Sequence, residues 1–212
     1  MQYRSMTRLA QVPPFSWLSD LAKSWLAFRH YVEAYSLTLR TEREKRDYLA
    51  YWQKSTGYRV FVETGTCEGR STRHMAALCA QCFTVELDPV LHARAVESFA
   101  NVHNITALLG DSATCLPSIL AQVHEPAIFW LDAHDSGGVT ARGTEDTPIA
   151  KELAMVFAHP VKNHVVLIDD ARTFCGVFGY PSIKKLQQFV NKNSAYAIHI
   201  SNDIIVIHPW DI

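Results

Sequence analysis

The sequence predicts an α/β fold, a three-layer sandwich in which helices cover both faces of a mostly parallel, seven-stranded sheet. Short apolar segments alternate with segments of helical periodicity from Tyr58 onward, which is typical of repeated strand–helix units. The last two strands are separated only by the polar residues 201–203, which indicates a C-terminal antiparallel hairpin. The chain has 212 residues, 48% of them hydrophobic, so it is long enough to bury one sizeable core.

The individual elements follow from apolar pattern and flanking turn residues. Buried apolar runs are expected to be strands, and the amphipathic runs between them are expected to be helices. The predicted strands are 59–63, 83–87, 106–109, 127–131, 165–168, 196–200 and 204–208. The predicted helices between them are 71–79, 90–99, 116–122, 148–157 and 183–191.

The segment 1–55 differs from the rest and is predicted to be a helical appendage to a main domain, 56–212. Its apolar residues recur at helical spacing in 16–35 and 41–53, which indicates two or three helices. Many of them are Trp or Tyr, which suits packing on the main sheet, a substrate-cavity wall or a homodimer surface. The basic run 40–46 is interrupted by acidic residues, so we expect it to be a solvated helix face.

Composition excludes several classes of protein. The net charge is −1, which provides no electrostatic footprint for nucleic acid. No apolar run approaches the roughly 20 residues of a membrane span, and the N-terminus lacks the pattern of a signal peptide. Five cysteines, an odd number, indicate a reduced, cytoplasmic protein. Cys79 and Cys82 form a C-x-x-C pair without a second ligand pair, so we expect two ordinary thiols.

A turn with two glycines follows the first predicted strand, in the run Glu63-Thr64-Gly65-Thr66-Cys67-Glu68-Gly69. The glycine spacing and the absence of a following Lys exclude the triphosphate loop and the dinucleotide fingerprint. Glu63 would repel a phosphate, but it suits a cationic ligand. Glu86 follows Gly65 by about 20 residues, a separation at which an acidic side chain can reach ribose hydroxyls.

At these residues the sequence resembles the class I S-adenosylmethionine-dependent methyltransferases, whose first motif is E/D-x-G-x-x-x-G. The resemblance covers roughly residues 58–209. It implies a Rossmann-like methyltransferase fold with S-adenosylmethionine as the cofactor. The cofactor-binding residues that it implies are Glu63, Gly65, Thr66, Gly69, Ser71, Glu86, Leu87, Asp111, Ser112 and Asp132.

The resemblance also implies a role for most of these residues. Glu63 and the Gly65 turn would hold the methionine part, and Glu86 would bind the ribose hydroxyls. Asp111 and Ser112 would lie beside the adenine, although both are also suited to capping the next helix.

Three carboxylates follow strands four and five, namely Asp132 and the pair Asp169-Asp170. Left unpaired they would repel one another, and a divalent cation would remove that repulsion. Oxygen ligands favour Mg²⁺ or another hard divalent ion such as Mn²⁺ or Ca²⁺. The pattern resembles metal-dependent O-methyltransferases of the catechol and macrocin/mycinamicin types, which implies that these three residues are metal ligands.

The resemblance breaks down at the general base. The catechol type has a Lys three residues beyond its first metal-binding Asp, and that position here is Asp135. We expect the neighbouring His134 to be the base and Asp132 to assist; orienting Asp132 is the alternative role of His134.

Two loops are candidate acceptor walls. The segment 136–148 is long and polar and follows the predicted metal site, and 174–180 follows strand five. Arg142 in the first loop could meet an anionic acceptor. The segment 130–153 resembles bacterial methyltransferase-like proteins of unassigned substrate.

The resulting hypothesis is a metal-assisted O-methyltransferase that acts on a small-molecule or glycosyl hydroxyl. The alternatives are a metal-independent methyltransferase of the same fold, in which the three Asp residues bind substrate, and a non-catalytic S-adenosylmethionine-binding protein. A different α/β enzyme, such as a dehydrogenase, is a further alternative.

Overall fold

The structure, a computed structural model, describes residues 41–132, 148–176, 180–192 and 195–212. These ranges contain seven strands and six α-helices. The strands are β1 (Val60–Thr64), β2 (Gln81–Glu86), β3 (Ile105–Leu109), β4 (Ala127–Leu131), β5 (Val165–Ile168), β6 (Tyr196–Ser201) and β7 (Ile204–Pro209). The helices are α1 (Glu42–Thr56), α2 (Arg70–Ala76), α3 (Pro89–Ser98), α4 (Ser112–Leu120), α5 (Ile149–Ala158) and α6 (Ile183–Asn191), and a short 3₁₀ helix spans Ala171–Thr173.

The strands form one sheet in the order β3-β2-β1-β4-β5-β7-β6. Strands β1 to β5 are parallel, whereas β7 is antiparallel to both β5 and β6. The predicted sheet and its C-terminal hairpin are therefore confirmed. The strand order reverses between β1 and β4, which in such sheets opens a crevice for ligands at the carboxyl ends of the strands.

Two apolar clusters cover the two faces of the sheet and give the fold its three layers. Helices α1 and α2 contribute Leu49, Trp52 and Met75 to the cluster on one face. Helices α4, α5 and α6 pack on the other face, and Leu116, Leu153 and Leu186 are among their buried residues. Helix α1 therefore shares the sheet's own core.

Four helices begin elsewhere than the sequence predicts, three of them by one residue and α4 by four. Helix α4 starts at Ser112 rather than at residue 116, because Asp111 caps it by accepting a hydrogen bond from the Thr114 N–H, and Pro117 is accommodated inside it. Helix α2 starts at Arg70, and its capping residue, Gly69, adopts the left-handed conformation without a side-chain hydrogen bond.

Several predictions lie outside the described residues. They are the helix 16–35, the base His134, Arg142 and most of the loop 136–148. Among the residues that the structure describes, no helix is both long and apolar enough to cross a bilayer.

Candidate active site

The carboxylate of Glu63 lies near the end of β1 and is buried. Its Oε2 accepts hydrogen bonds from the hydroxyls of Thr72, on α2, and of Thr84, on β2, the latter at 3.1 Å. Burial raises the pKa of Glu63 to about 8, and the hydrogen bonds from the two threonines oppose that shift. Near neutral pH the side chain is therefore mostly protonated, and a cation placed beside it would favour its ionised form.

Glu86 ends β2 and fastens the glycine turn to the sheet. Its Oε2 accepts a hydrogen bond from the Cys67 N–H at 2.7 Å, and its Oε1 accepts one from the Asp88 N–H at 2.9 Å. The backbone N–H groups of Gly65 and Thr66 donate to the Val85 carbonyl, at 2.9 and 3.1 Å. The turn between β1 and α2 is thus held against the end of β2.

The other predicted cofactor residues lie around the same edge of the sheet. Thr66 is buried and its hydroxyl shares a hydrogen bond of 2.6 Å with Thr84. Ser71 is half-buried inside α2, and Leu87 is half-buried after β2. Asp111 and Ser112 form the start of α4 after β3. Asp111 is confirmed as a helix cap, whereas Ser71 and Thr72 do not cap α2, because both lie within it.

Thr64 was not singled out by the sequence analysis. It ends β1, it is fully buried, and its hydroxyl has no hydrogen-bond partner among the described residues. An unpaired buried hydroxyl lowers the stability of the fold. This one lies at the point where the strand order reverses, which is where ligands bind in such sheets.

The carboxylates after β4 and β5 are brought together. Leu131 and Ile168 are paired in the sheet, so the next residues, Asp132 and Asp169, occupy neighbouring positions. The ladder continues through them, because the Asp132 N–H donates to the Thr64 carbonyl at 3.0 Å and the Asp169 N–H donates to the Leu131 carbonyl at 3.2 Å. The predicted convergence of these two acids is therefore present.

Asp169 already has a cationic partner in the ammonium of Lys45, on α1. Lys45 Nζ lies 2.6 Å from Asp169 Oδ2 and 2.9 Å from Glu42 Oε1, and Asp169 Oδ1 accepts the Asp170 N–H. Burial acts to lower the pKa of Lys45, but the carboxylates of Asp169 and Glu42 together outweigh it, so this pKa lies above the ordinary value. Burial, followed by the Asp170 charge, raises the pKa of Asp169, and Lys45 opposes that rise.

Asp170 also has a cationic partner, the guanidinium of Arg172. Arg172 Nη1 lies 2.6 Å from Asp170 Oδ1, and the same nitrogen contacts Oδ2 of Asp203 in the turn between β6 and β7. The Arg172 N–H also donates to Asp203 Oδ1 at 2.8 Å. The hairpin turn thereby fixes the segment that follows β5.

These contacts weaken the reason for expecting a metal ion at the three carboxylates. Lys45 and Arg172 supply positive charge to Asp169 and Asp170, so the pair does not depend on a divalent cation for its neutralisation. In the part of the chain that the structure describes, no group of three His, Cys, Asp or Glu side chains could hold a metal. The described side chains do not fit the predicted three-carboxylate centre.

Lys45 was not predicted as a site residue, because the whole charged run 40–46 was expected to be a solvated helix face. The signal was present in the helical period: Lys45 precedes Leu49 by four residues and Trp52 by seven, so the three share one face of α1. Both apolar residues are buried, and only 18% of the Lys45 side chain is exposed.

No family model matches the sequence, and no curated protein matches it either. Solved structures of methyltransferases do match the fold. The O-methyltransferase TomG from Streptomyces achromogenes, involved in tomaymycin synthesis and in complex with S-adenosylmethionine, is 14% identical, with a TM-score of 0.59. The match covers 89% of this chain and 88% of that one.

Two further solved methyltransferase structures match the fold of this chain to a similar degree. An O-methyltransferase from Bacillus cereus, in complex with S-adenosylhomocysteine, is 14% identical with a TM-score of 0.58, covering 91% of this chain and 94% of that one. The S-adenosylhomocysteine-bound methyltransferase PaMTH1 from Podospora anserina is 10% identical with a TM-score of 0.59, covering 96% and 99%. The chain has a Rossmann-like methyltransferase fold. At these identities the likeness extends to the fold alone, and it confirms the architecture that the glycine motif implied.

Proposed function

We propose that the protein is an S-adenosylmethionine-dependent methyltransferase that methylates a hydroxyl oxygen of a small-molecule or glycosyl acceptor. One observation carries the proposal: two buried carboxylates, Glu63 and Glu86, flank the glycine turn at the ends of neighbouring strands. Such a site suits a ligand that combines ribose hydroxyls with a cation, because the cation favours the ionised form of Glu63. S-adenosylmethionine has both groups and no phosphate.

Glu86 can hold the turn and the ribose at the same time. Each of its two oxygens accepts one backbone N–H, so each retains a lone pair for a hydroxyl donor. Because the Cys67 N–H belongs to the glycine turn and the Asp88 N–H to the segment after β2, the side chain is oriented before a ligand arrives. Preorganisation of this kind reduces the ordering cost of binding.

The reaction would be a direct displacement on the methyl carbon. The acceptor oxygen forms a bond to that carbon as the carbon–sulfur bond breaks, and the bonding electron pair moves to sulfur. The sulfonium becomes a neutral thioether, and the hydroxyl proton passes to a base, for which His134 remains the candidate from the sequence. Holding the two reactants in line would supply most of the acceleration.

The acceptor would lie beyond the ends of β4 and β5, next to Asp132 and Asp169. The predicted requirement for Mg²⁺ stays a prediction, and the pairing of Asp169 with Lys45 argues against it. A small acceptor suits a chain with a net charge of −1, which offers no electrostatic attraction to nucleic acid.

Calorimetry on the full chain tests the cofactor assignment. We expect S-adenosylmethionine and S-adenosylhomocysteine to bind and NAD, which carries a pyrophosphate, not to bind. Binding of NAD without binding of the two adenosyl compounds would overturn the proposal. A methyl-labelled cofactor, supplied with a panel of phenols and sugars, then identifies the acceptor class by transfer of the label.

A further inference from the structure

We infer that the ammonium of Lys45 is the positive charge of the acceptor subsite, and that it occupies the place where Asp132 and Asp169 would otherwise hold a divalent cation. The inference rests on the proposed function, because only a methyltransferase would bind an acceptor here. The sequence predicts that Asp169 is a metal ligand, whereas in the folded chain its carboxylate is paired with Lys45.

The Lys45–Asp169 pair is a built contact rather than a surface one. The nitrogen–oxygen distance is 2.6 Å, and the side chains are only 18% and 3% exposed. Burial of Leu49 and Trp52 on the same face of α1 fixes the helix against the sheet and so fixes the position of Lys45. An ion pair held at both ends by packed elements loses little side-chain entropy when it forms.

The ammonium keeps hydrogen-bonding capacity for a ligand. It has three N–H donors, and its contacts within the described residues are with Asp169 and Glu42. Glu42 is 64% exposed, so water competes for that contact. The remaining donor can serve the oxygen of an acceptor as negative charge develops on it.

A divalent ion at this position would meet the ammonium. Asp169 Oδ2 is the oxygen that Lys45 contacts, and Oδ1 is engaged by the Asp170 N–H. A metal bound to Asp169 would lie within a few ångströms of a fixed positive charge in a partly buried site, where like charges are weakly screened. We therefore expect methyl transfer by this chain to proceed in the presence of a chelator.

A titration with Mn²⁺ tests the inference without an acceptor. Electron paramagnetic resonance of the free ion measures how much Mn²⁺ is bound. The wild-type chain is titrated beside Lys45→Met, which removes the charge, and Lys45→Arg, which keeps it. Lys54→Met is the matched control, because Lys54 lies on the same helix and is exposed. Calorimetry with S-adenosylmethionine on each variant reports separately on the cofactor site.

We expect Lys45→Met to bind Mn²⁺ at least about tenfold more tightly than the wild type does. Lys45→Arg and Lys54→Met should bind Mn²⁺ like the wild type. All three variants should keep the wild-type affinity for S-adenosylmethionine. Addition of Asp169→Asn to Lys45→Met should abolish the new binding. Micromolar Mn²⁺ binding by the wild type would overturn the inference, as would a Lys45→Met chain that binds no better than the wild type. If Lys45→Met does not fold alone, recovery of its circular dichroism by Mn²⁺ supports the inference and failure to recover overturns it. If the wild type did not bind S-adenosylmethionine, the proposed function itself would be wrong.

Discussion

The ring of Phe99 lies against the backbone of Gly69, the residue that caps helix α2. A methyl group added at Gly69 would meet Cε1 of that ring at 2.7 Å, well inside normal contact distance. Gly69 also has φ +68, in the left-handed region that favours glycine. The turn of the proposed cofactor site therefore needs glycine here for both its conformation and its packing.

Gly69→Ala should lower the free energy of unfolding by roughly 2–4 kcal/mol, the sum of left-handed strain and overpacking. Gly57→Ala is the matched control, because Gly57 has φ +69 but nothing lies within 4 Å of its added methyl. It should cost only about 1–2 kcal/mol. Urea unfolding of both variants measures the difference, and equal losses would show that Phe99 moves aside freely.

Glu86→Gln should weaken S-adenosylmethionine binding by roughly 1.5–3 kcal/mol, because the hydrogen bonds to the turn and to the ribose lose their charge. Glu97→Gln, at an exposed position on α3, should leave the affinity unchanged. Isothermal titration calorimetry on both variants provides the comparison. An unaltered dissociation constant in Glu86→Gln would remove this residue from the cofactor site.

Glu63→Gln should change how stability depends on pH. The pKa of Glu63 is about 8 in the folded chain, against an ordinary value of 4.5, so the folded chain holds the extra proton between these values. The contribution of Glu63 is therefore fully present below 4.5 and is lost as pH rises through about 8, by up to roughly 5 kcal/mol. The neutral amide should remove this loss.

Urea unfolding between about pH 5 and pH 9 measures this effect. The stability of Glu63→Gln relative to the wild type should grow with pH and level off above about 8. A pH-independent difference would mean that Glu63 titrates alike in the folded and unfolded chains.

His164 should make the fold sensitive to acid. It is buried beside His159, with 3.0 Å between His164 Nε2 and His159 Nδ1, and its Nδ1 accepts the Ala127 N–H at 3.1 Å. Burial, then the neighbouring His159, lowers the pKa of His164 to about 4 from 6.5. Its contribution, present above 6.5, should be lost as pH falls towards 4, by roughly 3 kcal/mol.

His164→Asn, which cannot gain a proton, should flatten this acid limb. Unfolding free energies measured between about pH 4 and pH 7 test it, with exposed His103 changed to Asn as the control. An acid limb that survives in His164→Asn would assign it to other groups.

Thr64→Val should raise the free energy of unfolding by about 1 kcal/mol, because it replaces an unpaired buried hydroxyl with a methyl group of the same shape. Thermal unfolding measures the change. Thr84→Val is the contrasting variant: it removes a hydroxyl that donates to Glu63 and should destabilise. Destabilisation by Thr64→Val would reveal a partner for its hydroxyl.

The fold was predictable because its signals are local. The apolar runs 127–131 and 165–168 are bounded by turn residues, and both strands were predicted with their observed limits. The predicted start of α4 was four residues late, because the cap at Asp111 begins the helix at Ser112.

The candidate site was predictable only in part. Residues that directly follow adjacent strands, such as Asp132 and Asp169, are brought together by the sheet topology, which the order of elements in the sequence predicts. The contact between Lys45 and Asp169 joins residues 124 positions apart and depends on where α1 docks. The same limit hid the threonines that surround Glu63.

Elements from both ends of the described chain contact the segment that follows β5. Helix α1, which precedes the seven strands, places Lys45 beside Asp169. The final hairpin places Asp203 beside Arg172, which also contacts Asp170. A fragment without α1 would leave Asp169 without the ammonium of Lys45, and a fragment without the hairpin would release Arg172 from Asp203. Both ends of the described chain are therefore needed to hold the charged groups that follow β5 in place.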